Sequence, residues 1–209
     1  ATKNGAIPDN VLSYETLFSG NWQTATVWSP NVTNGPSGAI TKINAGHTIT
    51  ISVNGIKEYA TNIYGRLNLG VTTGHRHGII GGTGTMYLEQ GSISAGVYDE
   101  FFSTAGGTIE FGGADSYDFL GNILSVNHLT LSGSGDKRFP NNNLEILGDL
   151  TINGTALLNA VTYDNRKIYL HKDLIRISGN FEAGANSYMV FNGSIPQNIT
   201  GSFTGTNAF

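Results

Sequence analysis

The chain has 209 residues, a formal net charge of −4 and 12% charged residues, together with 29 glycines and no cysteine. Its lysines and arginines are scattered singly or in pairs, which leaves no basic stripe for a nucleic acid, and no apolar stretch approaches the roughly 20 residues needed to cross a bilayer. The missing cysteines exclude disulfides, thiolate metal sites and a cysteine nucleophile, and the many glycines favour short strands joined by tight turns.

The first 38 residues differ in composition from the rest. They contain both tryptophans, Trp22 and Trp28, and three of the five prolines, but no alternating apolar triplet. A solenoid needs a cap that covers the open end of its core and its unpaired strand edge. We therefore predict that residues 1–38 form an N-terminal cap in which the two indole rings plug the core. An exposed platform for stacking sugars is the alternative.

From about residue 40 onward, short apolar triplets are separated by Gly, Asn, Ser and Thr. Side chains alternate faces along a strand, so each triplet directs two apolar residues inward and one residue outward. From Leu67 to Met189 the triplets recur at a mean spacing of roughly 20 residues, and such a period indicates a solenoid. The inward pairs are Ile49/Ile51, Leu67/Leu69, Met86/Leu88, Ile109/Phe111, Leu129/Leu131, Leu144/Ile146, Ile168/Leu170 and Met189/Phe191.

This period predicts that residues 39–209 form an all-β, right-handed parallel β-helix of about 20 residues per coil. A βαβ unit would need about 30 residues, and glycine-rich connections such as residues 81–84 could not sustain a helix. An antiparallel sandwich also uses many short strands, but it would not explain the regular spacing. Within one coil, the triplet at 144–146 is followed by a second at 150–152, which predicts a corner between two sheets.

A longer repeat relates residues 108–113 to residues 188–193 and aligns Phe111 with Phe191. In the first copy the next apolar strand arrives at Leu129. In the second copy the sequence reaches Phe209 before such a strand. We therefore expect the β-helix to continue in a longer parent protein, where its partners are adjacent segments of the same polypeptide.

The predicted outward residues of the triplets form one column along the helix. Glu110 and Glu145 would lie two coils apart in it, roughly 10 Å by the strand spacing, with no Lys or Arg in the column. Paired carboxylates on one face could serve a polysaccharide hydrolase or lyase, but two solvated side chains are the favoured interpretation. The column is Asn68, Tyr87, Glu110, Thr130, Glu145, Tyr169 and Val190.

Two polar clusters are further candidates for binding. The segment His75-Arg76-His77 places two imidazoles on one side of a strand, where they could hold a metal. No third ligand is identifiable. The neighbouring glycines favour an exposed loop, which could make an adhesive contact. Asp115 and Asp118 could bind calcium in a turn, although aspartate also stabilises turns through its own backbone. We expect no catalytic residue, no cofactor and no bound metal.

Several segments carry a resemblance to a known group of proteins. The run from Trp22 to Trp28, followed by Ile43-Asn-Ala-Gly-His47-Thr-Ile-Thr-Ile, resembles the opening of many large Bacteroidetes surface proteins. Gly148-Asp-Leu-Thr-Ile-Asn-Gly154 and Gln197-Asn-Ile-Thr-Gly201 are similar to repeats in the same proteins. The resemblance implies a β-helical ectodomain exported by the type IX secretion machinery, of the kind described as adhesins or gliding-associated proteins. No catalytic residue carries over.

These observations together lead to an expectation about function. We expect a non-catalytic, extracellular structural and adhesion protein of a bacterial surface, a rigid β-helical stalk that presents loops to partners such as surface glycans. It would bind no nucleic acid and would not insert into a membrane. The alternatives are a carbohydrate-binding module of a polysaccharide-degrading protein and, less favoured, a polysaccharide lyase or hydrolase.

Overall fold

Short strands wind around one apolar core in about seven turns of about 21 residues each. The computed structural model describes residues 10–119, 121, 123–157, 166–179, 181–182 and 188–202. The fold is a parallel β-helix, which confirms the predicted fold class and excludes the antiparallel sandwich. No helix in these described ranges has the length and apolar character needed to cross a membrane.

Among the described residues, the regular elements are 21 strands and one 3₁₀ turn at Ala25–Val27. In chain order the strands are β1 (Ser13–Thr16), β2 (Gly20–Asn21), β3 (Trp28–Ser29), β4 (Ile40–Ile43), β5 (Thr48–Thr50), β6 (Ala60–Ile63), β7 (Arg66–Gly70), β8 (Arg76–Gly81), β9 (Thr85–Leu88), β10 (Ala95–Val97), β11 (Thr108–Phe111), β12 (Tyr117–Asp118), β13 (Ser125–Val126), β14 (His128–Arg138), β15 (Leu144–Ile146), β16 (Leu150–Leu157), β17 (Lys167–Leu170), β18 (Leu174–Ser178), β19 (Phe181–Glu182), β20 (Tyr188–Phe191) and β21 (Ile199–Thr200).

These strands form three walls that we name A, B and C. Wall A has the order β10-β8-β6-β4-β1-β3, and wall C has the order β13-β15-β17-β20. Wall B runs the length of the described chain in the order β2-β5-β7-β9-β11-β14-β16-β18-β21. In each coil a strand of wall A or wall C is followed, after a short corner, by a strand of wall B. The predicted corner between residues 144–146 and 150–152 is therefore confirmed.

The two long strands β14 and β16 turn a further corner within wall B. Their ends pair with β12 and β19, and Lys137 is opposite Tyr117 on one side and Ala156 on the other. The later coils thus have three hydrogen-bonded sides. Earlier coils close their third side mainly with turns, such as the one where Gly55 N–H donates to the Thr73 carbonyl.

One continuous apolar cluster fills the helix. Leu67, Ile109, Leu129 and Ile168 all belong to it and are fully buried, as the alternation predicts. In wall B the inward residues stack in register from coil to coil, because each strand pairs in parallel with the next. This column is Ile49, Leu67, Met86, Ile109, Leu129, Leu150 and Leu174. Ile199 pairs with Leu174 but is 51% exposed.

The N-terminal part extends the same walls. β1 and β2 pair in parallel with β4 and β5, and β3 lies antiparallel outside β1. Trp22 and Trp28 are both fully buried, with ring centroids 4.9 Å apart, and each indole N–H donates to a backbone carbonyl. The rings therefore plug the core and offer no flat surface to a sugar. The role of residues 1–38 as a cap stays a prediction, and residues 1–9 and Phe209 lie outside the described residues.

Candidate functional site

The outward column predicted from the sequence is wrong beyond Thr130. Asn68, Tyr87, Glu110 and Thr130 are neighbours on wall B, but Thr130 continues to Thr151. Glu145 pairs with Ser125 and Tyr169 on wall C. Each coil contains two similar triplets, so spacing alone does not say which triplet stacks on which. Glu110 and Glu145 therefore do not share a column, and the predicted 10 Å pair does not exist. The two copies of the long repeat likewise do not occupy equivalent positions, because Phe111 is on wall B and Phe191 is on wall C.

Glu110 is held in a closed network on the outer face of wall B. Its side chain is only 16% exposed, and one carboxylate oxygen accepts from the Arg66 guanidinium at 2.6 Å. The other oxygen accepts from the Ser132 hydroxyl at 2.7 Å. The prediction of a solvated side chain is thus wrong for Glu110, and its cation, Arg66, comes from outside the outward column. Each carboxylate oxygen therefore has a hydrogen-bond partner within the protein.

The same network covers Tyr87. The Arg66 guanidinium lies 4.4 Å above its ring, and its hydroxyl donates to Glu89 Oε1 at 2.9 Å. Burial, the hydrogen bond to Glu89 and the nearby carboxylates raise the pKa of Tyr87 to about 12. Arginine thus shields the ring face that a sugar would need for stacking. This part of wall B stiffens the helix across three coils but offers little to a ligand.

Wall C carries a more open group of polar and aromatic side chains. Tyr169 lies at the centre of its outer face, between Glu145 on the preceding coil and Val190 on the following one. Glu145 Oε1 is 2.8 Å from His171 Nε2, and its side chain is 45% exposed. A groove of about 520 Å³ runs across these coils, and it is lined by Leu124, Asn143, Leu144, Glu145, Tyr169 and Asn192.

The predicted exposed loop at His75, Arg76 and His77 is wrong. Arg76 begins strand β8 and is exposed, but His75 and His77 are 2% and 0% exposed, and their rings stack at 5.5 Å. Gly74, before the strand, and Gly78, within it, have φ of 74° and 61°, so both mark bends in the backbone. The two imidazoles do share one side of the strand, as alternation predicts, but that side faces the core.

The environment of the two histidines favours neutral rings. His75 Nδ1 accepts from the Ile56 N–H, and its Nε2 lies 3.0 Å from the Thr72 hydroxyl. His77 Nε2 is buried with no hydrogen-bond partner among the described residues. Burial lowers the pKa of both, and that of His77 falls to about 3, helped by the charge of His75. No group of three or more potential metal ligands forms within the described ranges.

The turn with Asp115 and Asp118 already contains a cation from the chain itself. The Lys137 ammonium donates to the carbonyls of Gly113, Asp115 and Gly135 at 2.8–3.2 Å and lies 4.9 Å from the centre of the Tyr117 ring. The Asp118 carboxylate pairs with Arg138. The structure therefore brings the backbone carbonyl of Asp115 to the Lys137 ammonium and the carboxylate of Asp118 to Arg138.

Sequence reasoning missed Arg66, Lys137, His171 and Asn192. Arg66 is 44 residues from Glu110, and His171 is 26 residues from Glu145. Such contacts follow only when the length of every intervening coil is known, and the coil lengths vary. Comparison of the chain with family models, with curated proteins and with solved structures finds no match. Function is therefore inferred from the chemistry of the walls.

Proposed function

We propose that this chain is a non-catalytic structural and adhesive segment of an extracellular bacterial surface or secreted protein, in which the β-helix serves as a rigid stalk. The observation that carries the proposal is the single core that runs through every described coil from Trp22 to Phe181. A rod of this kind has no internal boundary at which it could bend without breaking apolar contacts.

Rigidity comes from contacts between successive coils. Parallel strand pairs join neighbouring coils on two or three sides, and each coil touches mainly its neighbours. Side chains at one corner add a second ladder. His128 Nδ1 accepts from the Asp149 N–H, Asp149 from the Asp173 N–H, and Asp173 from the Asn198 N–H, all at 2.8–3.0 Å.

Two features support a role without catalysis. The Glu110 carboxylate is occupied by Arg66 and Ser132. Glu145 belongs to another wall and has only His171 as an ionisable partner at short range among the residues described. The resemblance to Bacteroidetes surface proteins supports export by the type IX machinery. The net charge of −4 and the scattered lysines and arginines argue against nucleic acid as a partner.

Stretching the chain between two marker domains in a single-molecule experiment tests the stalk. A coil of about 21 residues releases about 70 Å of chain when it unfolds. We expect discrete force peaks separated by this length or by small multiples of it, because each coil is held mainly by its neighbours. Smooth extension without peaks would contradict a rigid stalk.

The non-catalytic part needs a separate measurement. We expect no reducing ends and no unsaturated products when the chain is incubated with a panel of neutral and acidic polysaccharides. Turnover that the Glu110→Gln or Glu145→Gln variant abolishes would overturn this part and restore the hydrolase or lyase alternative.

A further inference from the structure

Several polar groups that line the groove on the outer face of wall C have hydrogen-bonding atoms without a partner among the described residues. Glu145 uses one carboxylate oxygen for His171, and its other oxygen has no hydrogen bond to any described residue. The Tyr169 hydroxyl and the Asn192 side-chain amide likewise make none within the described part of the chain. Carboxylate, hydroxyl and amide groups thus converge on a groove beside an aromatic ring.

A second groove, on wall A, provides a comparison within the same molecule. It has a similar volume of about 530 Å³ and contains Tyr64, which is 44% exposed. Two of its polar side chains, however, bond to the protein. Lys42 pairs with Glu15, and the Asn44 amide donates to the Thr16 carbonyl. On wall B, Arg66 covers the ring of Tyr87. Wall C therefore combines an aromatic ring with polar groups that are free to bind a ligand.

We propose that the wall C groove binds an uncharged pyranose unit of a glycan, with Tyr169 against the apolar face of the sugar and Glu145 and Asn192 bonded to its hydroxyls. This inference rests on the adhesive part of the proposed function. Tyr presents a flat amphipathic surface that loses little conformational entropy on binding. The groove volume lies within the range of about 300–1,000 Å³ that is usual for ligand sites.

The surroundings favour a glycan over a peptide. β15 and β17 are each paired on both sides within wall C, so the groove contains no free strand edge to which a peptide could add a strand. Among the described residues that line the groove, Glu145 alone carries an acidic or basic side chain, and its carboxylate would repel an acidic sugar. The lining residues come from four successive coils, which span about 14 Å at the spacing of parallel strands. A chain of sugars can therefore run along the helix axis.

The test uses the full chain and two panels of oligosaccharides, one neutral (gluco-, xylo-, manno- and chito-hexaoses) and one acidic (oligouronates). We expect at least one neutral oligosaccharide to bind in calorimetry or saturation-transfer NMR, with weaker binding of acidic ones. Tyr169→Ala should weaken binding by about tenfold or more, and Asn192→Ala by several-fold, because these residues touch the sugar. Tyr169→Phe should retain most of the affinity, since the ring remains.

Tyr64→Ala is the matched control, because it removes an exposed tyrosine from the wall A groove. We expect its affinity to equal that of the parent chain. The thermal midpoint of each variant shows that the outward substitution leaves the fold intact. Absence of binding to every neutral oligosaccharide, preference for acidic ones, or equal losses in Tyr64→Ala and Tyr169→Ala would overturn the glycan site. None of these outcomes would change the force peaks that test the stalk.

Discussion

At the scale of single residues, the unusual feature of this β-helix is a small number of ionisable side chains inside it. Glu58, His77 and Lys137 are all buried, at 7%, 0% and 0% exposure. A buried ionisable group is tolerated when it is neutral or when hydrogen bonds replace its water. For Lys137, hydrogen bonds to three carbonyl oxygens replace the water, whereas burial favours the neutral forms of Glu58 and His77.

Replacing Lys137 should reveal the cost of losing that cation. In Lys137→Met the carbonyls of Gly113, Asp115 and Gly135 lose their donor inside the protein, so we expect the free energy of unfolding to fall by about 3 kcal/mol. Urea unfolding followed by tryptophan fluorescence measures the change. Lys57→Met, at an exposed position, is the control and should differ from the parent by less than about 0.5 kcal/mol. Equal stability of the two variants would contradict a structural role for the buried ammonium.

The buried His77 and Glu58 should make stability depend on pH in opposite directions. The pKa of His77 falls from 6.5 to about 3, mainly through burial, so between these values only the unfolded chain binds the proton and stability falls as pH is lowered. Burial raises the pKa of Glu58 from 4.5 to about 8, against the opposing hydrogen bond from the Ala39 N–H. Between 4.5 and 8 only the folded chain keeps this proton, so stability falls as pH is raised.

The two slopes oppose each other between pH 4.5 and 6.5, where we expect a plateau of maximal stability. The acid limb runs from pH 4.5 to about 3 and the alkaline limb from pH 6.5 to about 8, so each amounts to about 2 kcal/mol at most, at about 1.4 kcal/mol per pKa unit. Urea unfolding from pH 3 to pH 9 measures the profile. His77→Leu should flatten the acid limb and make stability fall from pH 4.5 upward, whereas Glu58→Gln should flatten the alkaline limb and make stability rise up to pH 6.5. Each variant is therefore the control for the other, and an unchanged profile in both would refute the assignment.

At the scale of elements, glycines determine how closely successive corners can stack. Gly65, Gly84 and Gly107 each stand at a corner that leads into wall B. A methyl group at Gly84 would overlap the carbonyl oxygen of Gly65, and one at Gly65 would overlap that of His47. The corners therefore approach through bare backbone. The strand spacing of wall B fixes the distance between coils, so the corners cannot move apart to make room for a side chain at these glycines.

Gly84→Ala should accordingly be costly. The added methyl group meets backbone atoms that the parallel pairing of β7 and β9 holds in place, so we expect a loss of about 2–4 kcal/mol in the free energy of unfolding. Gly81→Ala, three residues earlier, is the matched control, since its methyl group would meet only the carboxylate of Glu100, at 3.0 Å, and that side chain can move. Urea midpoints compare the two. If Gly81→Ala cost as much as Gly84→Ala, the stacking of corner glycines would not be the cause.

At the scale of the whole molecule, the variable length of the coils decides which residues meet. The step along wall B is 18 residues from Ile49 to Leu67 but 25 residues from Leu174 to Ile199. A coil can take extra residues into its turns while the core column stays in register. Glu145 lies beside Tyr169 on wall C, away from Glu110, because residues 144–146 are the first of two triplets in their coil. The groove proposed to bind glycan is therefore a product of which triplets stack as much as of composition.

The sequence by itself determined the fold class and most of the inward pairs. Alternation along the triplets identified the buried side of the strands from Ile49 to Leu170, whereas the last predicted pair is wrong in part because Phe191 is 39% exposed. The period identified a solenoid, and both signals follow from short-range backbone geometry that is the same in each coil. Only the tertiary structure decided which triplets share a wall, because two similar triplets within one coil satisfy the same period. It also decided that His75 and His77 face the core, that Lys137 is buried and that Arg66 reaches Glu110. These contacts depend on how many residues each turn contains, and no local sequence pattern specifies the total number of residues between two contacting side chains.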